Sequence, residues 1–541
     1  MGTILTTLFN ALRAIRAALH LLSALSASFN EALKRSANSP GLPVKAPTKA
    51  YWQNNPPFPD LVNVSSHELP KTTDVAIIGS GIAGASIAWS WLHEKRRLCN
   101  NGAEEKVVVL EARELCSGAT ARNGGHIKVA AYEVFSRLCK AGMAKERAAA
   151  LVRFQLRHVK SLIELCQTEG IDAAEAREVE TVDVFADEEA FREAKRGVQD
   201  MKEWLGEVEV NVWEKDRARE IFGVNESIAG ALSYQAGAIW AYRFTTSIWK
   251  NLLEQFPNTL SIETNTPVLS IAVSPAGDDR PKGFPYALQT PRGTIYAKHV
   301  VHATNAFASH LVPGLRSKIV GARAHMSAQS AGHEFTRCST KGMRSWGVIY
   351  GDGFDYVTQR PAQQGDLMVG GGFRRSLNQG VDQVGVYDDS AALDALTMSH
   401  IAGVLPAIFS PNWGAGIALK QAWSGIIGLT GDFLPFVGPL DSTWTGRVVR
   451  HERADAKSSV RSTADSRRSG EWIAAGWAGE GMVWAWLCGV GLGIMIAGSE
   501  EDDSREDVPG LPGGRIDEWL PQEVLISKRR VQTADVSNLA S

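Results

Sequence analysis

The segment Asp74-Val-Ala-Ile-Ile-Gly-Ser-Gly-Ile-Ala-Gly-Ala-Ser-Ile-Ala-Trp-Ser-Trp-Leu92 decides the fold. It reads as a buried strand, a glycine turn and the start of a helix. The short apolar run Val75–Ile78 suits a central strand of a parallel sheet. Gly79, Gly81 and Gly84 have the G-x-G-x-x-G spacing of a dinucleotide fingerprint, with Ile82 and Ala83 between them. Such glycines allow a tight turn and let the backbone approach a pyrophosphate, while the free N–H groups at the helix start attract its charge. Taken alone the motif also fits a plain structural turn. The strand before it and the helix after it select nucleotide binding.

The fingerprint expects an acid at the end of a second strand about 20 residues further on. That strand is Lys106-Val-Val-Val-Leu-Glu111, and Glu111 ends it. The polar run His93–Glu105 lengthens the connection and explains the spacing. Glu111 is the candidate for the ribose hydroxyls; a surface acid is the alternative.

This unit sits in a long, nearly neutral chain. It has 541 residues, with 57 Lys and Arg against 59 Asp and Glu, so no global field favours nucleic acid. Two domains are expected at this length. Cys99, Cys116, Cys139, Cys166, Cys338 and Cys488 form no C-x-x-C pair. No metal site or disulfide framework is expected, and a reducing, intracellular compartment fits, cytoplasmic first and mitochondrial or membrane-associated as alternatives.

Residues 1–36 carry Leu5, Leu8, Leu12, Ile15, Leu19 and Leu22 at helical spacing. The uncharged run Ala17–Asn30 is too short to span a bilayer. Three readings stay open: a helix packed on the body or a partner, a membrane-surface or targeting helix, and a myristoylated terminus. Residues 37–70, rich in Pro, Ser and Asn, read as an extended linker. Val448–Ser469 is polar and basic and reads as a disordered surface insertion. The tail after Gly498 reads as a polar surface cover.

Directly after Glu111 comes Ala112-Arg-Glu-Leu-Cys-Ser-Gly-Ala-Thr-Ala-Arg-Asn-Gly-Gly-His126. A nicotinamide enzyme has no need of this second small-residue loop; a larger cofactor has. Backbone N–H groups, the hydroxyls of Ser117 and Thr120 and the guanidinium of Arg122 can serve a second phosphate and a ring system. Here the chain resembles the FAD-dependent D-amino-acid oxidase-like superfamily. Gly118-Ala-Thr-Ala-Arg-Asn-Gly-Gly125 is most similar to the Gly-Ala-Ser-Gly-Arg-Asn-Gly-Gly stretch of the γ-glutamylputrescine oxidase-like group, with Ala121 the departure. Tyr51-Trp52-Gln53 resembles fungal members.

Further segments resemble the family in its own order. Lys298-His-Val-Val-His-Ala-Thr-Asn-Ala306 resembles the strand and turn that return to the cofactor, which implicates Ala303, Thr304 and Asn305. Thr266-Pro-Val-Leu269 resembles the strand at the adenine, with Val268 the candidate. Trp423–Asp432 and Ala475-Gly-Trp-Ala-Gly-Glu-Gly-Met482 resemble the final motif, so Gly479, Gly481 and Met482 would face the flavin edge. A helix N-terminus there favours the negative charge of reduced flavin. Asn123, Gly124 and Gly125 complete the implied contacts.

The resemblance implies an α/β fold: a Rossmann-like FAD-binding domain interleaved with an α+β substrate domain on a mixed or antiparallel sheet. The cofactor domain would take 71–175, 229–310 and 416–500, interrupted by the insertion at 448–470. The substrate domain would take 176–228 and 311–415, leaving 501–541 as the tail. No cysteine falls in the final motif before Met482, so FAD is expected to be non-covalent. Tyr350, Tyr356, Gln359, Arg360 and Trp423 are candidates for the substrate wall. Arg360 could pair a carboxylate or form a structural ion pair. His126 could stand beside the flavin ring or in the core. The implied reaction is oxidation of an amine or amino-acid C–N bond by hydride transfer to flavin N5, with oxygen as the final acceptor. A dehydrogenase serving an electron carrier and a flavin-binding protein without turnover are the alternatives.

Overall fold

The computed structural model describes residues 13, 16, 23, 25–98, 105–273, 281–335, 340–351, 353–361, 365–390, 393–416, 418–449 and 469–540. The strand read from Val75 runs over Thr72–Ile78 and sits inside a parallel sheet. The parallel order is Gly470–Ala475, Gly293–His302, Thr72–Ile78, Val107–Leu110 and Leu260–Glu263. Val107–Leu110 is buried along its whole length, as a strand covered on both faces must be. Phe436–Pro439 adds an antiparallel edge, and Tyr286–Thr290 with Ser270–Val273 forms a meander on Gly293–His302. The helices Ile82–Leu98 and Ala485–Ala497 pack closely together. The second is apolar all round because every side of it meets protein.

A second, mixed sheet has nine strands. Its main order is Ala418–Thr430, Ile319–Ser330, Leu367–Gly371, Gly353–Gln359, Arg344–Tyr350, Arg177–Phe185, Gly230–Ala238 and His126–Ile127, with Asn211–Glu214 also paired to Gly230–Ala238. Alternation divides its faces. Val182, Val184, Trp346, Val348, Val357, Leu367 and Val369 pack with Ile401, Leu405 and Phe409 of the helix Ala395–Phe409. Met326, Ala328, Met368, Trp423 and Tyr234 point the other way, into the core shared with the first sheet. The molecule is thus a mixed α/β fold on two mixed sheets.

Three strands lie in a different sheet from the one expected. His126–Ile127, Gly230–Ala238 and Ala418–Thr430 fall in segments assigned above to the cofactor domain, yet all three pair in the second sheet. Strand propensity is local, whereas the choice of partner is set by distant register.

Residues 37–70 are not an extended linker. They form a strap across the body, with Ala50, Trp52 and Leu61 buried and short 3-10 turns at Tyr51–Gln53 and Pro59–Leu61. Residues 25–37 are helical, and Ala32 and Ser36 are buried where this helix meets the body. Arg35 donates to the carbonyls of Val381 and Val384. Most of 1–24 lies outside the described residues, as does 450–468, where the insertion was expected. The tail is more than a polar cover: Arg505 is buried against Glu94 at 3.2 Å, and Leu520, Val524 and Val531 enter the core. Among the described residues no helix is long and apolar enough to cross a membrane.

Candidate functional site

The site begins where Thr72–Ile78 runs into its turn. Gly79 has φ +108°, and a Cβ there would stand 2.6 Å from the Ala303 carbonyl oxygen. The two strand-end turns therefore touch. Gly84 lies in the first turn of the helix, and its Cβ would be 2.0 Å from the Gly79 oxygen. Only glycine permits this approach.

Glu111 stands at the lip of the turn. Its Oε2 accepts from the Ser80 N–H at 3.1 Å and the Ser80 hydroxyl at 2.7 Å, and its Oε1 accepts from the Arg113 N–H at 3.0 Å. Ser80 is a node that sequence reading passed over. Its hydroxyl also accepts from the Cys116 N–H at 2.8 Å, and its carbonyl from the Trp249 indole at 2.8 Å. The second loop, from Ala112, is thereby tied to the first.

Within that loop the expected donors separate. Thr120 Oγ1 accepts from the Ile82 N–H at 3.1 Å, so it caps the helix start. Arg122 is not free for a phosphate. It is buried, with Nε on the Ser117 carbonyl at 3.0 Å, one terminal nitrogen on the Ser424 carbonyl at 2.7 Å and the other on the Thr48 carbonyl at 2.7 Å. Asp389 lies 3.4 Å away. Burial outweighs Asp389 and lowers the Arg122 pKa to about 10. This guanidinium ties strap, loop and sheet together.

The Asn-Gly-Gly turn lies flat on the inner face of the second sheet. Asn123 donates to the Thr120 carbonyl at 3.1 Å and accepts from the Gly125 N–H at 2.8 Å. Its own carbonyl takes the Trp52 indole N–H. A Cβ on Gly124 would meet the Tyr356 ring at 2.5 Å. Below the loop, the Trp423 indole donates to the Arg122 carbonyl at 3.0 Å, and the Thr358 hydroxyl to the Gly124 carbonyl at 2.5 Å. His126 Nε2 and the Ser345 hydroxyl are 2.8 Å apart. Burial, aided by Lys128, lowers the His126 pKa well below its usual value, so the ring is neutral. The Tyr356 hydroxyl donates to Met326 Sδ at 3.1 Å and is pushed up to about 12, by burial first and Asp355 second.

The other wall candidates are engaged elsewhere. Arg360 holds Glu175 at 2.5 Å and the Tyr51 hydroxyl at 3.1 Å, with its guanidinium 4.6 Å from the Trp240 ring centre. It is a structural ion pair, not a free carboxylate receptor. Tyr350 donates to Asp355 at 2.7 Å, and Gln359 is buried with its amide on the Gly365 carbonyl at 3.3 Å.

The far end of the site is the loop before Ala485–Ala497. Asn305 Oδ1 accepts from the N–H groups of Gly476 at 3.1 Å and Trp477 at 3.3 Å, so it positions this closing loop. Gly479, Gly481 and buried Met482 follow in it. Val268 is buried beside Ile78 and Leu110 at the opposite end. Glu480, unremarked in the sequence, accepts from Arg137 at 3.3 Å, Gln155 at 3.0 Å and the Trp484 indole at 3.3 Å.

Beside His126 lies a buried charge network that sequence reading missed entirely. Asp183 is fully buried and takes the Lys128 ammonium on Oδ1. On Oδ2 it accepts from the Tyr132 hydroxyl at 3.0 Å and the Tyr234 hydroxyl at 2.5 Å. Lys128 and Tyr132 are four residues apart, but Asp183 and Tyr234 come from two distant strands, so no spacing could signal the set.

The cradle fits a large dinucleotide. The Ser117 and Thr304 hydroxyls are buried without hydrogen-bond partners, on the two turns that flank Gly79. An orphaned buried hydroxyl costs about 1–3 kcal/mol unless a ligand satisfies it. Ser117, Thr304 and the turn Gly79–Gly84 would hold the phosphates and Glu111 the ribose, while the Asn123–Gly125 turn and the closing loop would flank the ring.

A search of curated proteins finds no match. Solved structures of similar fold include glycine oxidase from Geobacillus kaustophilus, with TM-score 0.57 and 19% identity over 79% of this chain and 95% of that one. L-proline dehydrogenase from P. horikoshii has TM-score 0.53 and 20% identity over 80% and 94%. Iminodiacetate oxidase from Chelativorans sp. BNC1 has TM-score 0.55 and 16% identity over 83% and 98%. Residues 74–492, a span that contains both cradle turns and the closing loop, match the DAO family of FAD-dependent oxidoreductases, and the chain belongs to that family.

Proposed function

We propose that the chain oxidises the C–N bond of a small amine or amino acid, and that its nearest kin are the γ-glutamylputrescine oxidase-like group of fungal type. The observation that carries this reading is the Arg122–Gly125 turn lying between the nucleotide cradle and the inner face of the second sheet. On this reading the first sheet belongs to a cofactor domain and the second to a substrate domain. The similar structures named above are a glycine oxidase, an L-proline dehydrogenase and an iminodiacetate oxidase, and they support this reading.

Bound FAD supplies a two-electron acceptor whose reduced form oxygen can reoxidise, giving hydrogen peroxide. The protein's part is orientation and electrostatics. Neutral His126 and neutral Tyr356 give the substrate wall no charge of their own. A reducing, intracellular compartment belongs to the same proposal, supported by six cysteines without a C-x-x-C pair. Surface contact with a membrane through residues 1–36 belongs to the same proposal.

The test is an anaerobic screen of amines and amino acids that follows the visible flavin absorbance. Bleaching by one class is expected, with fast recovery in air. Slow recovery in air with rapid dye reduction would favour the dehydrogenase, and a flavin that no amine bleaches would overturn the reading. Arg360→Lys is expected to leave KM for the bleaching amine within about twofold, because the arginine is already held by Glu175. A tenfold rise in KM at unchanged kcat would return Arg360 to the substrate site.

A further inference from the structure

An ion pair stands in the row of residues that the Asn123–Gly125 turn crosses. Asp183, Gly347, Tyr356, Gly370, Met326 and Trp423 are neighbours in register across the second sheet. Residues opposite one another on paired strands share a face. Tyr356 meets Gly124 of the turn, and the Trp423 indole holds the Arg122 carbonyl. Between Asp183 and Tyr356 the row has no side chain, because Gly347 fills that place. A Cβ on Gly347 would stand 2.0 Å from Asp183 Oδ1 and 2.7 Å from Lys128 Nζ. The Lys128–Asp183 pair therefore lies over Gly347, beside Tyr356, on the face turned toward the loop.

The two ends of the pair differ. Asp183 is filled by Lys128, Tyr132 and Tyr234, and its side chain is 1% exposed against 17% for Lys128. An ammonium group has three N–H donors. Asp183 takes one, and the described residues supply no acceptor for the other two. The Tyr234 ring centre, 5.9 Å from Nζ, steadies the cation further. The wall thus holds a fixed donor with N–H groups to spare and a charge already matched. The guanidiniums around it are matched as well, Arg122 by two carbonyls and Asp389, and Arg360 by Glu175.

Resting on the amine-oxidation reading, we propose that Lys128 sets the site's specificity by donating to an uncharged carbonyl oxygen of the substrate. The preferred substrates are then amines that carry an amide-type carbonyl, not free amino acids. Asp183 is the positioning residue, fixing the ammonium and cancelling its charge. A substrate carboxylate would bring a second anion to an ammonium that already has one, and it would give up its own hydration to do so. A neutral carbonyl needs only the donor. Its oxygen offers two lone pairs, which matches the two unused N–H groups.

The experiment titrates wild-type holoenzyme with propanamide and with propanoate, following the shift in visible flavin absorbance. Neither probe has an amine to oxidise, so binding is read without turnover. Propanamide is expected to bind about tenfold more tightly. Equal binding, tighter propanoate, or no shift with either would overturn the proposal. In Asp183→Asn the ammonium keeps its charge and loses its counter-charge, so the order should reverse in favour of propanoate. In Lys128→Met with Asp183→Leu the donor is gone and no charge is left buried alone, so the preference for propanamide should vanish. A preference that survives there makes the pair purely structural and refutes the role. If Asp183→Asn loses its flavin, the wild-type comparison and the double variant decide. In turnover, 3-aminopropanamide should show a KM about tenfold below that of equally sized 3-aminopropanoate and 3-methylbutylamine, with kcat little changed. Should propanamide bind as expected while no amine bleaches the flavin, the carbonyl site stands and the amine-oxidation reading falls.

Discussion

Gly84→Ala is expected to yield protein that purifies without FAD. The new methyl group would be built 2.0 Å from the Gly79 oxygen, a backbone atom that cannot rotate away. Overpacking of this kind costs about 1–3 kcal/mol and sometimes more. The strain falls on the joint between the strand turn and the helix, so relief must move the helix start away from the turn. The N–H groups that would receive the pyrophosphate move with it. Because about 1.4 kcal/mol is a tenfold change in affinity, a loss of 10- to 100-fold is expected from the strain alone. The ratio of flavin to protein absorbance after gel filtration measures it. Stoichiometric flavin in Gly84→Ala would show that the cradle is looser than described.

Asp183→Ala should cost about as much in stability as any single substitution in this molecule. It strands the Lys128 ammonium and leaves the Tyr132 and Tyr234 hydroxyls without their acceptor. Removing one partner of a buried ion pair costs about 3–5 kcal/mol. A lowered thermal midpoint, followed by flavin release, is the readout. Lys128→Met combined with Asp183→Leu should recover most of the loss, because removing both charges leaves none buried alone. An unchanged midpoint in Asp183→Ala would mean that Lys128 finds water instead.

What the sequence disclosed is what is local. Gly79, Gly81 and Gly84 act within one turn, so their spacing carries their meaning, and Glu111 ends its strand visibly. Val75–Ile78 could be read as a central strand because burial on both faces leaves an unbroken apolar run. The network of Lys128, Tyr132, Asp183 and Tyr234 was illegible, since it depends on Asp183 and Tyr234 lying on neighbouring, antiparallel strands. The partners of Arg122 and Arg360 could not be read from the sequence, for one physical reason. An arginine in a glycine-rich loop or at a strand end looks alike whether its partner is a ligand, a carbonyl or a glutamate, and here the partners lie far away in sequence. The strap was missed because a Pro- and Ser-rich segment without periodicity can still be anchored by a few side chains such as Trp52.

The strap also imposes an order on how the molecule can be completed. Thr48 is held by Asp389 and Arg122, Tyr51 by Asp366, Asn54 by Gln421, and the Thr48 hydroxyl meets the Ser424 N–H. Most of these partners are made more than 300 residues after the strap itself. A nascent chain emerging from the ribosome therefore carries its first nucleotide turn early, while the segment that seals the flavin loop has nothing to grip until the strand Ala418–Thr430 has emerged. The strap, translated before the nucleotide turn, becomes one of the last segments to settle. Closure of the strap over the second loop thus waits on residues that lie more than 300 positions beyond it in the chain.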